Sequence, residues 1–306
     1  MRKSLDIVIP VYNEEDCISQ TLDRLLGLRE SLFEELDVNF IFVDDGSVDK
    51  SVSILKELSD KYPFVKVLSF TRNFGHQFAV CAGLDHSTAD YVAIMDADLQ
   101  DPPELIKDMY EKSKEGFQIV YGKRLKRKKE TVFKKVTAFV YYRLFDILCQ
   151  TKVPVDTGDF RLITRDVVNA IVNMPEKHKF LRAMIPWVGF KSAPVYYNRD
   201  ERYAGKTKYS LSKMLKLASD GIFSFSIRPL KFIYSLSVFM SIIAFINLAI
   251  AFLFPQGFLF DMLIFSVFFV GALLTFSLAI LGEYIGRIFE EVKGRPLYIV
   301  KSRFNL

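Results

Sequence analysis

A chain of 306 residues with 41 Lys+Arg against 36 Asp+Glu carries a net charge of only +5, too small a surplus to mark a nucleic-acid binder, and it has neither zinc-finger spacing nor an aromatic RNA-binding signature. Its three cysteines, Cys17, Cys81 and Cys149, are odd in number and far apart, which excludes a disulfide framework and fits a reducing compartment. Hydrophobic residues make up 50% of the chain and mean hydropathy is +0.18, but the charges concentrate before about residue 230, which predicts a soluble domain followed by a membrane anchor.

In chain order, the start Met1-Arg-Lys-Ser-Leu-Asp-Ile-Val-Ile-Pro10 turns polar too soon for a signal peptide. Apolar runs at Leu5–Pro10, Val38–Val43, Val65–Phe70, Tyr91–Met95 and Gln118–Gly122 predict strands separated by segments of helical length. That alternation predicts α/β architecture with βαβ units and a mostly parallel, Rossmann-like sheet, in which ligands gather beyond the carboxyl ends of the strands. Polar groups follow every one of these strands: Pro10-Val-Tyr-Asn-Glu-Glu15, Asp44-Asp-Gly-Ser47, Thr71-Arg-Asn73, Asp96-Ala-Asp98 and Lys123-Arg124. Singly each has a structural explanation, since Asn13 and Ser47 could begin helices and Asp45-Gly46 could turn the chain. Together they favour a site. With no Gly-x-Gly-x-x-Gly after the first strand and no Gly-x-x-x-x-Gly-Lys, neither a dinucleotide fingerprint nor a P-loop explains it.

Asp96 and Asp98 alone could cap a helix, but hard divalent ions, Mg²⁺ or Mn²⁺, take carboxylate oxygens together with substrate phosphate. The basic run Lys123-Arg-Leu-Lys-Arg-Lys-Lys129 suits anionic headgroups or a solvated face. His76 in Gly75-His-Gln77 could touch the nucleotide, but as one of three histidines and without ligand spacing it reads as structural. Arg199–Tyr209 is basic and contains Gly205; it reads as a loop closing over phosphates with Arg202, Lys206 and Lys208, or as a solvated surface loop. Leu211, Met214, Leu215, Ala218 and Ile222 fall at helical spacing, as in an interfacial helix or one packed on the domain.

Phe232–Phe254 holds no charge over 23 residues and Met262–Leu281 none over 20, each long enough to cross a bilayer core of roughly 30 Å. Arg228 and Lys231 precede the first span, and Arg287, Lys293, Arg295, Lys301 and Arg303 follow the second. The turn at Pro255-Gln-Gly257 has no Lys or Arg. The positive-inside bias therefore predicts a multi-pass protein of the inner, cytoplasmic membrane with both ends and the catalytic domain in the cytoplasm. The expected boundaries are 1–208 for the catalytic domain, 209–230 for a juxtamembrane helix, 231–286 for a transmembrane hairpin and 287–306 for a cytoplasmic tail. Gly271, Ala272 and Ser277 would let the anchor pack against copies of itself, predicting a homo-oligomer.

Ile9-Pro-Val-Tyr-Asn-Glu-Glu15, Val43-Asp-Asp-Gly-Ser47, Thr71-Arg-Asn-Phe-Gly75, Asp96-Ala-Asp-Leu-Gln-Asp-Pro-Pro-Glu104, Thr157-Gly-Asp-Phe-Arg161, Asp220-Gly-Ile-Phe-Ser-Phe-Ser226 and Gly282-Glu-Tyr-Ile-Gly-Arg287 together resemble the inverting GT-A glycosyltransferases that use polyprenyl phosphate, akin to dolichol-phosphate mannose synthase and bacterial glucosyltransferases of the GtrB type. The resemblance covers nearly the whole chain. It implies a GT-A domain in which Pro10, Tyr12, Glu14, Asp44, Arg72, Asp96 and Gln100 surround the nucleotide sugar, with Asp44 meeting a uracil-type base edge. It further implies that Asp96 and Asp98 hold the metal and that Asp159 stands near the acceptor as the catalytic carboxylate, either as a base or for orientation. Arg124, Arg161, Arg202, Lys206 and Lys208 would serve the phosphates, although Asp159 and Arg161 could instead form a structural ion pair. The implied reaction moves one sugar, glucose foremost, from a UDP-sugar to undecaprenyl or a related polyprenyl phosphate, with inversion. Trp187 lacks the Gln-x-x-Arg-Trp context of processive synthases, which favours single transfer. A polymer-forming synthase and a non-catalytic partner of a lipid-sugar flippase are the alternatives, and product analysis separates all three.

Overall fold

A computed structural model describes residues 2–125, 157–198, 223, 226–251 and 256–306. The five predicted strands form as β1 (Lys3–Val11), β2 (Leu36–Asp44), β3 (Val65–Phe70), β4 (Tyr91–Ile94) and β5 (Ile119–Arg124). Helices α1 (Ile18–Leu32), α2 (Ser51–Lys61), α3 (His76–His86) and α4 (Leu105–Lys114) fill the intervals between them. Three further strands join: β6 (Thr157–Thr164), β7 (Ser192–Tyr197) and β8 (Val300–Phe304), with α5 (Arg165–Val172) and α6 (Leu181–Trp187) lying between β6 and β7.

The strands make one sheet of order β7-β5-β6-β4-β1-β2-β3-β8. Its parallel pairs are β1 with β2 and β4, β2 with β3, and β5 with β7. β6 runs antiparallel between β4 and β5, and β8 runs antiparallel along β3. The mostly parallel sheet is therefore as expected. The last residues, expected as a tail, instead return to the domain: Val300-Lys-Ser-Arg-Phe304 alternates apolar and polar residues and covers the open edge of β3, where unpaired backbone groups would otherwise invite another chain.

Strand alternation decides the layers. Leu5, Ile7, Ile9 and Val11 of β1 share one core cluster with Ile18, Leu22, Leu25, Leu28 and Leu32 of α1 and with Phe40 and Phe42 of β2. On the other face α3 lies against β1, where a Cβ on Gly83 would stand 2.2 Å from Val8 Cγ1. Only a residue without a side chain allows that approach. Truncating a leucine or phenylalanine in this cluster costs about 2–5 kcal/mol.

The described residues fall into two compact units. One holds the sheet and its helices, including Pro296–Leu306, and the other holds the two C-terminal helices. Those helices, α7 (Arg228–Ala251) and α8 (Gln256–Val292), contact one another and are long and apolar enough to cross a membrane. Phe239, Phe245, Phe265 and Phe268 are exposed on them, an apolar surface that suits lipid and not water. The 37 residues of α8 reach about 55 Å, and the helix runs past the expected end of the span at Leu281. Apolar spacing continues through Ile285, Ile288, Phe289 and Val292, and Arg287 NH2 meets Glu283 Oε1 at 2.8 Å one turn away, so the helical pattern ends only before Gly294 and Pro296.

Candidate active site

β6 is antiparallel to β4 with Ile94 opposite Arg161 as their last pair, and Asp96 and Asp159 lie two residues beyond it, past the carboxyl end of β4. His76, the first residue of α3, lies at both: its Nε2 is 3.6 Å from Asp96 Oδ1 and 3.4 Å from Asp159 Oδ2. Arg182 of α6 grips Asp159 with a two-pronged fork, Nε to Oδ1 and NH2 to Oδ2, both at 2.9 Å. Planar pairing of this kind is the strongest charge-assisted geometry available to a carboxylate. Arg161 serves the strand more than the carboxylate, donating from NH2 to Gly158 O at 2.7 Å and from Nε to Asp159 O at 3.2 Å.

The electrostatics follow from this crowding. Burial opposes ionisation of Asp159, but Arg182 and the His76 hydrogen bond hold it well below the usual carboxylate range. Burial disfavours the His76 cation, yet its hydrogen bond to Asp159 and the charge of Asp96 raise it to about 9. Burial pushes Asp96 up to about 6; His76 opposes that rise, and the nearby carboxylates of Asp159, Asp98 and Asp101 add to it.

The β1, β2 and β3 ends are cross-tied. Asp44 is fully buried; its Oδ1 accepts the Ser47 N–H at 3.1 Å and its Oδ2 the Ser69 hydroxyl at 2.8 Å. Asn13 takes a left-handed φ of 53°. Its N–H donates to Ser47 Oγ and its Oδ1 accepts the Val48 N–H, both at 2.9 Å. Asp45 accepts the N–H groups of Phe74 at 2.7 Å and Gly75 at 2.9 Å, and the Asn73 amide at 2.9 Å, which fixes the loop entering α3. Burial raises the Asp45 carboxyl against those hydrogen bonds. Gly46 between these carboxylates and Ser47 has φ +70°, and a Cβ there would lie 2.3 Å from the Arg72 carbonyl carbon.

After β4, Leu99 sits at φ 56°, a costly conformation for a branched residue. It turns the chain so that the Gln100 N–H donates to Asp98 Oδ1 at 3.1 Å. Asp101 accepts from the Tyr197 hydroxyl, and Arg124 joins them, 3.3 Å from Tyr197 Oη and 3.6 Å from Asp101.

The expected residues thus divide. Asp96 and Asp159 converge on His76, and Arg161 is hydrogen-bonded to the Asp159 backbone. Tyr12 is exposed and the Glu14 N–H donates to Ser51 Oγ at 3.0 Å. Pro10 is a buried strand residue opposite Val43, so it shapes the edge from within. Arg72 is exposed, its guanidinium 4.0 Å over the Phe74 ring. Arg202, Lys206, Lys208 and Lys126–Lys129 lie outside the described residues.

Three contributors were missed or misread from sequence. His76 is no bystander, as its place between two carboxylates depends on a pairing far away in the chain. Arg182 stands in an unremarkable helical segment, and Asp45 passes for a turn residue. His76 alone carried a signal, following directly on the polar loop after the third predicted strand.

Among the described residues no three His, Cys, Asp or Glu side chains gather as a metal cage. Asp96 and Asp98 nevertheless fit a hard cation shared with phosphate oxygens and water, because the Asp96 carboxylate is one-third exposed and crowded by negative neighbours.

Residues 6–172 match the family model described as Glycosyl transferase family 2. The chain is similar to an uncharacterized glycosyltransferase, YkcC, of Bacillus subtilis, with 46% identity over 98% of this chain and 94% of that one. It is also similar to the bactoprenol glucosyl transferase of Shigella phage SfX, with 38% identity over 98% of this chain and 99% of that one. Among solved structures, mannosyl-3-phosphoglycerate synthase from Rubrobacter xylanophilus shares the GT-A fold, with TM-score 0.50, 18% identity and 71% of each chain covered.

Proposed function

Because the chain belongs to Glycosyl transferase family 2, we propose that it transfers a single glucose from UDP-glucose to the phosphate of a polyprenyl lipid, with inversion, at the cytoplasmic face of a membrane crossed by α7 and α8. The observation that carries this reading is the gathering of Asp96 and Asp159 about His76, each within 3.6 Å of its Nε2, in a chain matched along almost its whole length by a bactoprenol glucosyl transferase.

Tyr12 offers an exposed ring to a base, and Glu14 stands beside it. Asp44 spends one acceptor site of each oxygen on Ser47 and Ser69, so it both stiffens the nucleoside pocket and keeps lone pairs for a base edge. Asp96 and Asp98 would hold Mg²⁺ or Mn²⁺, which would supply positive charge to offset that of a departing diphosphate. Gln100 and Arg72 border that group. Both oxygens of Asp159 are engaged, by the Arg182 fork and by His76, which suits a group that orients the acceptor and not one that takes a proton. A lipid phosphate is already an anion near neutral pH, so little base strength is needed. Arg161 supports Asp159 through the strand and Arg124 adds positive charge nearby, while the assignment of Arg202, Lys206 and Lys208 to the acceptor phosphate rests on sequence.

The exposed apolar faces of α7 and α8 face lipid in this reading, and Gly271, Ala272 and Ser277 offer a contact between copies. The test is incubation of purified protein with labelled nucleotide sugars and undecaprenyl phosphate. One glucose per lipid supports the proposal. Sugar chains, or nucleotide binding without product, would reject it.

A further inference from the structure

We propose that His76 and Gln77 are positioning residues that set Asp159 against Asp96, and so fix the acceptor side of the reaction relative to the donor side; the inference rests on the functional reading above. Three observations carry it. His76 Nε2 stands within 3.6 Å of both carboxylates, which are close enough to repel one another as like charges. The neighbouring Gln77 Oε1 accepts the Leu181 N–H at 3.1 Å, and the residue after Leu181 is Arg182, whose fork holds both oxygens of Asp159. The base of this strut is itself anchored, because Asp45 accepts the N–H groups of Phe74 and Gly75 immediately before His76.

Two consecutive residues at the start of α3 thus reach Asp159 by separate routes, one direct and one through Arg182, while His76 alone reaches Asp96. Backbone ties to β2 carry the position of the strut back to the sheet. A displacement of about 1 Å at a reacting group costs on the order of 100-fold in rate, so a strut of this kind governs turnover without touching the donor nucleoside.

The experiment uses the full chain in detergent and compares wild type, His76→Ala, His76→Gln, Gln77→Ala, Asp159→Asn and the His76→Ala/Asp159→Asn pair. Each is measured for kcat and acceptor KM, for UDP-glucose Kd by calorimetry without acceptor, and for melting temperature. His76→Ala is expected to lower kcat about 100-fold with the donor Kd unmoved. His76→Gln, which keeps an N–H donor, should recover a large part of that loss. Gln77→Ala should lower kcat in the same manner and more weakly. In the Asp159→Asn background His76→Ala should have little further effect, because residues acting through one group are not additive. An unchanged kcat in His76→Ala, a donor Kd that rises in step with the lost rate, or full additivity with Asp159→Asn would overturn the inference. Absence of lipid-linked glucose from wild type would sink the functional reading and the inference with it, whereas product from wild type and undiminished product from His76→Ala sinks the inference alone.

Discussion

Asp159 is the residue on which most of the site's electrostatics converges. It is 8% exposed and its partner Arg182 is 30% exposed, so Arg182→Ala strands a buried anion. The expected loss is about 2–4 kcal/mol, discounted for the partner's solvent contact, and denaturant titration would measure it. Arg182→Lys should recover only part of this, because an ammonium cannot reproduce the fork; full recovery would mean that charge alone matters. His76, raised to about 9, should keep its proton well above neutrality in metal-free protein. Its folded value lies above the unfolded one near 6.5, so its stabilisation is complete below about 6.5 and is lost as pH rises through about 9. Selective imidazole labelling is tractable with three histidines, and a His76 titration midpoint near 6.5 would contradict the bridge. Gly46→Ala, forced to φ +70° with its Cβ against Arg72 backbone, should destabilise by about 2 kcal/mol or more.

At the scale of elements, what a sequence reveals depends on whether the signal is local. β1 to β5 were legible because each is an apolar run buried in a parallel sheet. β6 hid behind Asp159 and Arg161, whose polar side chains are buried only because the strand enters between β4 and β5. Asp96 stood out as a carboxylate ending an apolar strand, whereas Asp159 was singled out only through the family resemblance. Their partners His76 and Arg182 were less legible, since they come from helices far away in the chain and meet the carboxylates only in the fold. β8 was masked by Lys301 and Arg303 just beyond a long apolar segment. It is nevertheless secured three ways: the Thr71 N–H donates to Ile299 O at 3.0 Å, Tyr298 stacks on Phe70 at 5.0 Å and donates to Asp85 at 2.7 Å, and the Asn305 amide donates to Val65 O at 2.9 Å. A chain ended at Pro296 should therefore melt lower and aggregate through the bared β3 edge. Tyr298→Phe should cost only about 1 kcal/mol. An unchanged melting temperature after the truncation would mean that β8 is dispensable.

For the whole molecule, the domain and the two apolar helices argue for chemistry done on a lipid. A cysteine replacing Gln256, in a chain freed of its own three cysteines, should react with an impermeant maleimide from outside intact cells, whereas one replacing Lys293 should react only after lysis. The reverse pattern would invert the proposed orientation. The most direct measurement of all is transfer from labelled UDP-glucose to undecaprenyl phosphate, with and without chelator, by wild type, Asp96→Ala and Asp98→Ala proteins. The account predicts one glucose per lipid from wild type, its loss on chelation, its return with Mg²⁺ or Mn²⁺, and none from either folded variant. Undiminished product from chelated wild type and from both variants would contradict it.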